Sequence, residues 1–246
     1  FHQGFSLYNV GFTAGIIGMV VLGFMNAFGI EVETRTLTST QSPLILYQLL
    51  IGFCVILIVT SFYLHFKKKE KYHFKLLLKL SGRLPSDFVE MTNLATVTLN
   101  MSIIGFILLG YVLMNGGQLN GPIVGSIIGV MSFGAFGNQV KNTVPVLVGI
   151  MIGSYLTGVE PTSTSALIAA IFGTTLAPVS GYYGPLAGMI AGFVHITLVS
   201  HVVVMHGGLN LYNNGFAGGF VAAVLVPIFE IFEGIRQEMK ERKAEG

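Results

Sequence analysis

The sequence predicts an all-α fold, a polytopic transmembrane helix bundle with inverted repeats and discontinuous or re-entrant helices. Three observations predict it. Hydrophobic residues make up 52% of the 246 and charged residues only 10%, against about a quarter charged in soluble domains, and mean hydropathy is +0.75. A polar, glycine-rich stretch occurs twice. Several apolar segments are too short to cross a bilayer and end at clusters of Gly, Pro, amide and hydroxyl residues.

The repeat pairs residues 2–15 with 206–219, and eight of the fourteen positions are identical: His2/His206, Gly4/Gly208, Leu7/Leu211, Tyr8/Tyr212, Asn9/Asn213, Gly11/Gly215, Phe12/Phe216 and Gly15/Gly219. Apolar composition alone does not supply a shared His, Tyr and Asn, so this is an internal repeat. Each copy runs from a polar collar into a long apolar segment. As structure, the collar caps a helix and its glycines admit a close neighbour. As function, two symmetry-related collars line a polar path. The chain begins inside one copy, and the expectation is that this copy closes an earlier unit.

About 20 apolar residues cross a bilayer. Segment 5–30 does so, a polar loop with Glu31, Glu33 and Arg35 follows, and Leu44–Phe66 crosses next. The run Lys67-Lys68-Lys69-Glu70-Lys71, continued by Lys75, Lys79 and Arg83, is the largest basic cluster and belongs in the cytoplasm by the positive-inside rule. Within it, 72–80 alternates apolar and basic residues, as a short helix lying on the inner leaflet would. Segment 97–114 crosses. Three shorter segments come next: Gly121–Phe136, Val144–Leu156 opening with Pro145, and Ala166–Ala177 stopping at Pro178. Short, broken helices of this kind are the signature of discontinuous membrane segments, since irregular backbone at membrane depth survives only inside protein or beside a wet cavity.

Segment 184–205 and the second repeat helix then cross, and a charged helical tail from Arg236 ends the chain. Two stripes, Gly121-Pro122 with Gly125 and Gly129, and Gly184-Pro185 with Gly188 and Gly192, read as helix-packing faces. Six segments separate the basic loop from the tail, so the first repeat helix points outward and the second inward. The organisation read here is residues 1–31 as the end of a first, missing repeat, 32–96 as a transmembrane helix plus basic cytoplasmic linker, 97–235 as the second repeat, and 236–246 as a charged cytoplasmic tail.

Function classes narrow quickly. The chain carries no metalloprotease, nucleophile-elbow, phosphate-loop or dinucleotide fingerprint, and a single cysteine, Cys54, excludes disulfide and thiolate frameworks. A near-neutral charge balance, 13 basic against 11 acidic, offers nothing to nucleic acid. No Asp or Glu falls mid-segment, which disfavours a proton relay. Lys141 stands at a break, either reaching for the interface or facing a carbonyl-bearing or anionic solute.

The candidate solute-binding residues are therefore neutral: Asn138, Gln139, Asn142 and Thr143 at one break, Thr174 and Thr175 at another, and Tyr8, Asn9, Tyr212, Asn213 and Asn214 in the collars. Amides and hydroxyls both donate and accept, so such a set replaces water around a small uncharged solute. The expectation is a channel or facilitative transporter, not an enzyme. No metal and no cofactor is expected. The expected partners are membrane lipid, a small polar solute and further copies of the chain, in the inner (plasma) membrane. The alternatives are a metal-site protein or enzyme using His195, His201, His206 and Glu160, and a structural subunit of a membrane complex. On one helix His195 and His206 share a face but stand about 16 Å apart, too far for one ion.

The collar Leu211-Tyr212-Asn213-Asn214-Gly215-Phe216-Ala217-Gly218-Gly219 resembles the Asn-Asn-containing, Gly-following helix entry of the urea transporter family. The run Asn142-Thr143-Val144-Pro145-Val146-Leu147-Val148-Gly149 is similar to that family's Asn-Gly-Val-Leu-Val-Gly segment, without a Gly after Asn142 or a Pro after Asn214. The resemblance implies two inverted halves around a pore for a small neutral amide, assembled as trimers. Over its whole length the chain more closely resembles an uncharacterised family of bacterial polytopic membrane proteins of unknown function, whose members are longer.

Overall fold

The computed structural model describes residues 1–31, 39, 43–207 and 212–245, with side chains as far as Arg242. Gly208 and Leu211 of the repeat, and Glu33 and Arg35 of the polar loop, lie outside the described residues. The described residues form an apolar helical bundle, and seven helical segments are long and apolar enough to cross a membrane. This is a multi-pass membrane protein.

Helices α1 (Asn9–Ala27) and α2 (Pro43–Lys67) are the outermost. The basic linker holds only two four-residue turns, α3 (Phe74–Leu77) and α4 (Phe88–Met91), so the inner-leaflet helix read over 72–80 shrinks to one turn. Leu77 and Phe88 are buried, packing with Val97, and this pulls the linker into the protein instead of leaving it flat on lipid.

Helix α5 (Leu94–Met114) runs antiparallel to α2, as two hydroxyls record. Ser61 Oγ donates to the Ala95 carbonyl at 2.6 Å, and Ser102 Oγ donates to the Cys54 carbonyl at 3.0 Å. Hydroxyls facing a neighbouring helix satisfy themselves there because lipid offers no partner.

Helix α6 (Gly121–Ser132) starts where Asn120 caps it, accepting from Ile123 N at 3.0 Å, with Pro122 in the first turn. The same Asn120 donates to Thr164 Oγ1 at 2.9 Å, tying the starts of α6 and α8 (Thr164–Gly173) together. Helix α6 passes into a 3-10 turn at Phe133–Ala135 before the chain breaks at 136–139. At about 18 Å long, α6 is too short to span alone. Asn100, from the interior of α5, closes the break by donating to the carbonyls of Gly134 and Asn138, each at 2.8 Å.

The glycine stripe of α6 is not a packing face. A Cβ at Gly121, Gly125 or Gly129 would meet nothing within 4 Å, because Ile123, Ile127, Val130 and Met131 form the buried side. The matching stripe does pack: a Cβ at Gly188 would meet Ser180 Cβ at 2.4 Å, and one at Gly192 the Val146 carbonyl oxygen at 2.2 Å.

Helix α7 runs Val140–Thr157, four residues earlier than the sequence indicates. A capping box explains the early start: Gln139 Oε1 accepts from Lys141 N at 2.6 Å, and Gln139 N donates to Asn142 Oδ1 at 2.9 Å. Pro145 is thus tolerated inside the helix instead of opening it. Asn115 shares a cavity with Ser154, Gly158 and Glu160, so α7 returns to the end of the bundle where α5 finishes.

Helix α8, a 3-10 turn at Thr174–Leu176 and α9 (Ala177–Tyr183) follow one another without a gap, making one 20-residue span whose 18-residue apolar stretch is 72% buried. The expected stop at Pro178 does not occur, because Pro178 falls in the first turn of α9, where its missing N–H costs nothing. Helix α10 (Pro185–Met205) packs most closely on α7. Helix α11 (Asn213–Glu245) carries the second repeat and the charged tail as one rod.

The two repeat helices meet, and their contacts are reciprocal. A Cβ at Gly11 would lie 3.0 Å from Gly215 Cα, one at Gly215 would lie 2.5 Å from Gly11 Cα, Gly15 faces Phe216 and Gly219 faces Phe12. Mates touch directly as well, with ring centroids of Tyr8 and Tyr212 and of Phe12 and Phe216 each 6.1 Å apart. Position i meeting j while j meets i is what a twofold axis produces. Gly207, ahead of α11, lies on Leu22 in the far half of α1, while Gly15 meets Phe216 and the earlier Phe12 meets the later Gly219. The helices therefore run in opposite senses. They are not buried alike: Val221 is 1% exposed and its mate Ile17 58%, and half of the apolar stretch of α11 is buried against 11% of that of α1.

Candidate functional site

Four irregular stretches converge inside the bundle. Residues 1–8 enter between α9 and the basic linker. There Leu7 N donates to the Thr175 carbonyl at 3.0 Å, Leu84 N donates to the Gly4 carbonyl at 2.9 Å, and the Arg83 guanidinium stacks on Phe5, 4.4 Å from its centroid. The linker touches both the break at 136–139 and helix α9. Gly82 lies against the Gly137 carbonyl and Gly181 against that of Ser81, so neither glycine has room for a Cβ. Asn142 Nδ2 donates to the carbonyls of Ser81 (3.0 Å) and Gly137 (2.8 Å).

Inside this frame Asn138, Thr174 and Thr175 are fully buried. Asn138 Nδ2 reaches Thr174 Oγ1 at 3.4 Å, and Thr174 Oγ1 donates to the Ile171 carbonyl at 2.6 Å. Around them buried side-chain atoms stand without a hydrogen-bond partner: Ser6 Oγ, Thr175 Oγ1, Ser180 Oγ, the side-chain oxygens of Asn100, Asn138 and Asn214, and both ring nitrogens of His195. The Ala169 carbonyl and the Asn214 amide neighbour the His195 ring without closing a full hydrogen bond.

Three of these atoms face one point. From the position a Cβ would take on Gly218, Thr175 Oγ1 is 3.5 Å, Ser6 Oγ 3.6 Å and His195 Nδ1 4.0 Å away. Beside them opens a cavity of about 480 Å³, lined by Ser165, Ala169, Val199, Ser200, Asn213 and Asn214 among others. Asn214 both lines the cavity and neighbours His195, which makes it the link between the open space and the buried cluster. A partnerless buried polar group costs about 1–3 kcal/mol, so this arrangement fits a polar guest. The partnerless atoms of the cluster belong to hydroxyl, amide and imidazole groups.

The residues singled out in the sequence divide accordingly. Asn138, Thr174, Thr175 and Asn214 belong to the cluster. Gln139, Asn142 and Thr143 are buried beside it but spend their bonds on the helix cap and the linker, with Thr143 Oγ1 donating to Asn142 Oδ1 at 3.3 Å. Tyr8 stacks flat on Phe172 at 5.0 Å and forms an aromatic wall. Asn9 is exposed in an outer groove with Val10, Thr13 and Ile17, and Tyr212, 37% exposed, packs on Tyr8 outside the cluster. Lys141 is exposed and faces away from the cluster.

Asn213 lines the cavity and pairs with His206, whose Nδ1 is 2.6 Å from Asn213 Oδ1 and whose Nε2 donates to the Gly15 carbonyl at 2.9 Å. His206 thus ties the two repeat helices. His2 neighbours Asn9 but its buried Nδ1 has no hydrogen-bond partner, so only the ring contact is shared: His2 meets Phe12 edge-on at 5.3 Å, as His206 meets Phe216 at 5.2 Å. Burial is the main reason the His2 imidazole lies below the usual histidine range.

His201 is exposed and bonds its own helix at the Thr197 carbonyl. Glu160 accepts from Thr162 at 2.8 Å. Among the described residues no three His, Cys, Asp or Glu side chains gather closely enough to hold a metal ion. The sequence reading passed over Ser6 and Asn100. Asn100 alone carried a signal, as an amide inside an otherwise apolar helix.

No curated protein and no solved structure matches this chain, and the urea transporter likeness gains no support from these comparisons. A family model described as "Protein of unknown function (DUF1576)" matches residues 1–27 and 66–231. Those matches take in the whole cluster, from Ser6 to Gly218, together with both repeat collars, and the chain belongs to the DUF1576 family.

Proposed function

We propose that this protein is a passage, channel or facilitative carrier, through the inner (plasma) membrane for a small uncharged polar solute. One observation carries the proposal: a set of partnerless, uncharged polar atoms, fully enclosed in an apolar bundle, beside a cavity that reaches Asn214. Polar groups at membrane depth persist where protein or a wet cavity satisfies them, and an uncharged lining favours a neutral guest, since an unpaired ion in such surroundings costs several kcal/mol. The break residues supply donors and acceptors without a fixed charge. The exposed apolar faces of α1 and α2 are surfaces for lipid.

Stopped-flow light scattering on proteoliposomes tests the proposal, with water, formamide and glycerol as neutral probes and methylammonium as a charged one. The expected result is entry of at least one neutral probe faster than into empty vesicles, with methylammonium unchanged. Equal rates for all probes would remove the proposal.

A further inference from the structure

We infer that Gly218 sets the size limit of the guest site, and that Ser6, Thr175 and His195 are the groups that hold the guest against its bare backbone. The inference rests on the passage proposed above and identifies where that passage is selective. Helix contact explains Gly215 and Gly219, where a Cβ would meet Gly11 at 2.5 Å and Phe12 at 2.2 Å. It does not explain Gly218, whose Cβ would meet nothing closer than 3.5 Å, and what it would meet is polar: two hydroxyls and an imidazole nitrogen.

All three side chains are fully buried and partnerless at those atoms. The repeat mate of Gly218 is Ala14, so a methyl is acceptable to the helix crossing itself. A missing side chain beside three unsatisfied polar atoms is a seat for one heavy atom of a small guest reaching in past Asn214. Hydroxyls both give and accept hydrogen bonds, and a neutral imidazole does one at each nitrogen. The matching guest is an uncharged molecule that also does both.

Gly218→Ala is the test, because the added methyl lands at ordinary contact distance and leaves the fold intact, as unchanged melting and elution would confirm. The variant is expected to lower glycerol and formamide permeability at least about tenfold, a loss of about 1.4 kcal/mol, and to lower water permeability less. Its selectivity therefore shifts toward the smallest probe. Gly234→Ala, on a glycine with no neighbour within 4 Å, should match the parent for every probe.

If the parent conducts and Gly218→Ala conducts identically, the size-limit inference is overturned while the passage stands. If the parent conducts nothing, the passage falls, and the site is judged by nitrogen NMR of the His195 ring. A formamide-dependent shift that disappears in Gly218→Ala would keep the site, and no shift in the parent would overturn it.

Discussion

Replacing Gly149 by alanine should force the tightest helix pair in the molecule apart. A Cβ there would stand 1.9 Å from the carbonyl oxygen of Met189 on α10, and 2.6 Å from its carbonyl carbon. Real Cβ contacts do not fall below 3.0 Å, so the helices must part by at least about 1.1 Å, the difference between those distances. No flexible side chain is available to yield, because the obstacle is backbone. Nor can α10 slide, because a few residues on Gly192 is pressed to the Val146 carbonyl in the reciprocal contact at 2.2 Å.

Overpacking of this kind costs about 1–3 kcal/mol, offset by about 0.5–1 kcal/mol gained when Ala replaces Gly in a helix. A net loss of about 1–2 kcal/mol lowers the melting temperature by roughly 2–8 °C for a chain of this size. Thermal unfolding in mild detergent reads it. Gly110→Ala on α5, where nothing lies within 4 Å, is the control and should melt at or slightly above the parent. If Gly149→Ala melts with Gly110→Ala, the backbone contact between α7 and α10 is wrong.

Asn142→Ala removes the side chain that bonds the Ser81 and Gly137 carbonyls and caps Gln139 N. It should cost about 2–3 kcal/mol and free the linker, so trypsin should cut at Lys79 and Arg83 faster than in the parent. Unchanged cutting would mean that the linker is held elsewhere. His206→Ala breaks the tie from α11 to the Gly15 carbonyl and should cost about 1–2 kcal/mol in melting experiments. His206→Gln, which keeps one donor, should lose less, and equal losses would argue that the ring matters only for its packing on Phe216.

Much of this architecture was legible because punctuation is local. Gly137, Asn138 and Gln139 announce a break in any apolar run, and the repeated His, Tyr, Asn and Phe of the collars announced a contact that Gly11 and Gly215 then make. Placement was harder where it depends on a partner. The α6 glycines have the same spacing as those of α10, yet periodicity does not say which side of a helix meets protein, and Gly125 and Gly129 turn outward while Gly192 turns inward. Pro145 and Pro178 looked like boundaries, but a capping box opening six residues before one and a 3-10 turn just before the other carried the helices past them. Ser6 gave no local signal at all, since its meeting with Thr175 and His195 depends on chain segments some 170 and 190 residues away.

The central claim is that the cluster around Ser6 and Thr175 admits a guest from solution. Substituting each by cysteine and measuring modification by methyl methanethiosulfonate in proteoliposomes tests it directly. The protein's single native cysteine, Cys54, is 1% exposed in an apolar core and serves as the internal reference. Thiol reactivity follows access to solvent, so Cys at position 6 or 175 should react at least about tenfold faster than Cys54. Rates equal to that of Cys54 at both positions would show a sealed interior and contradict the account.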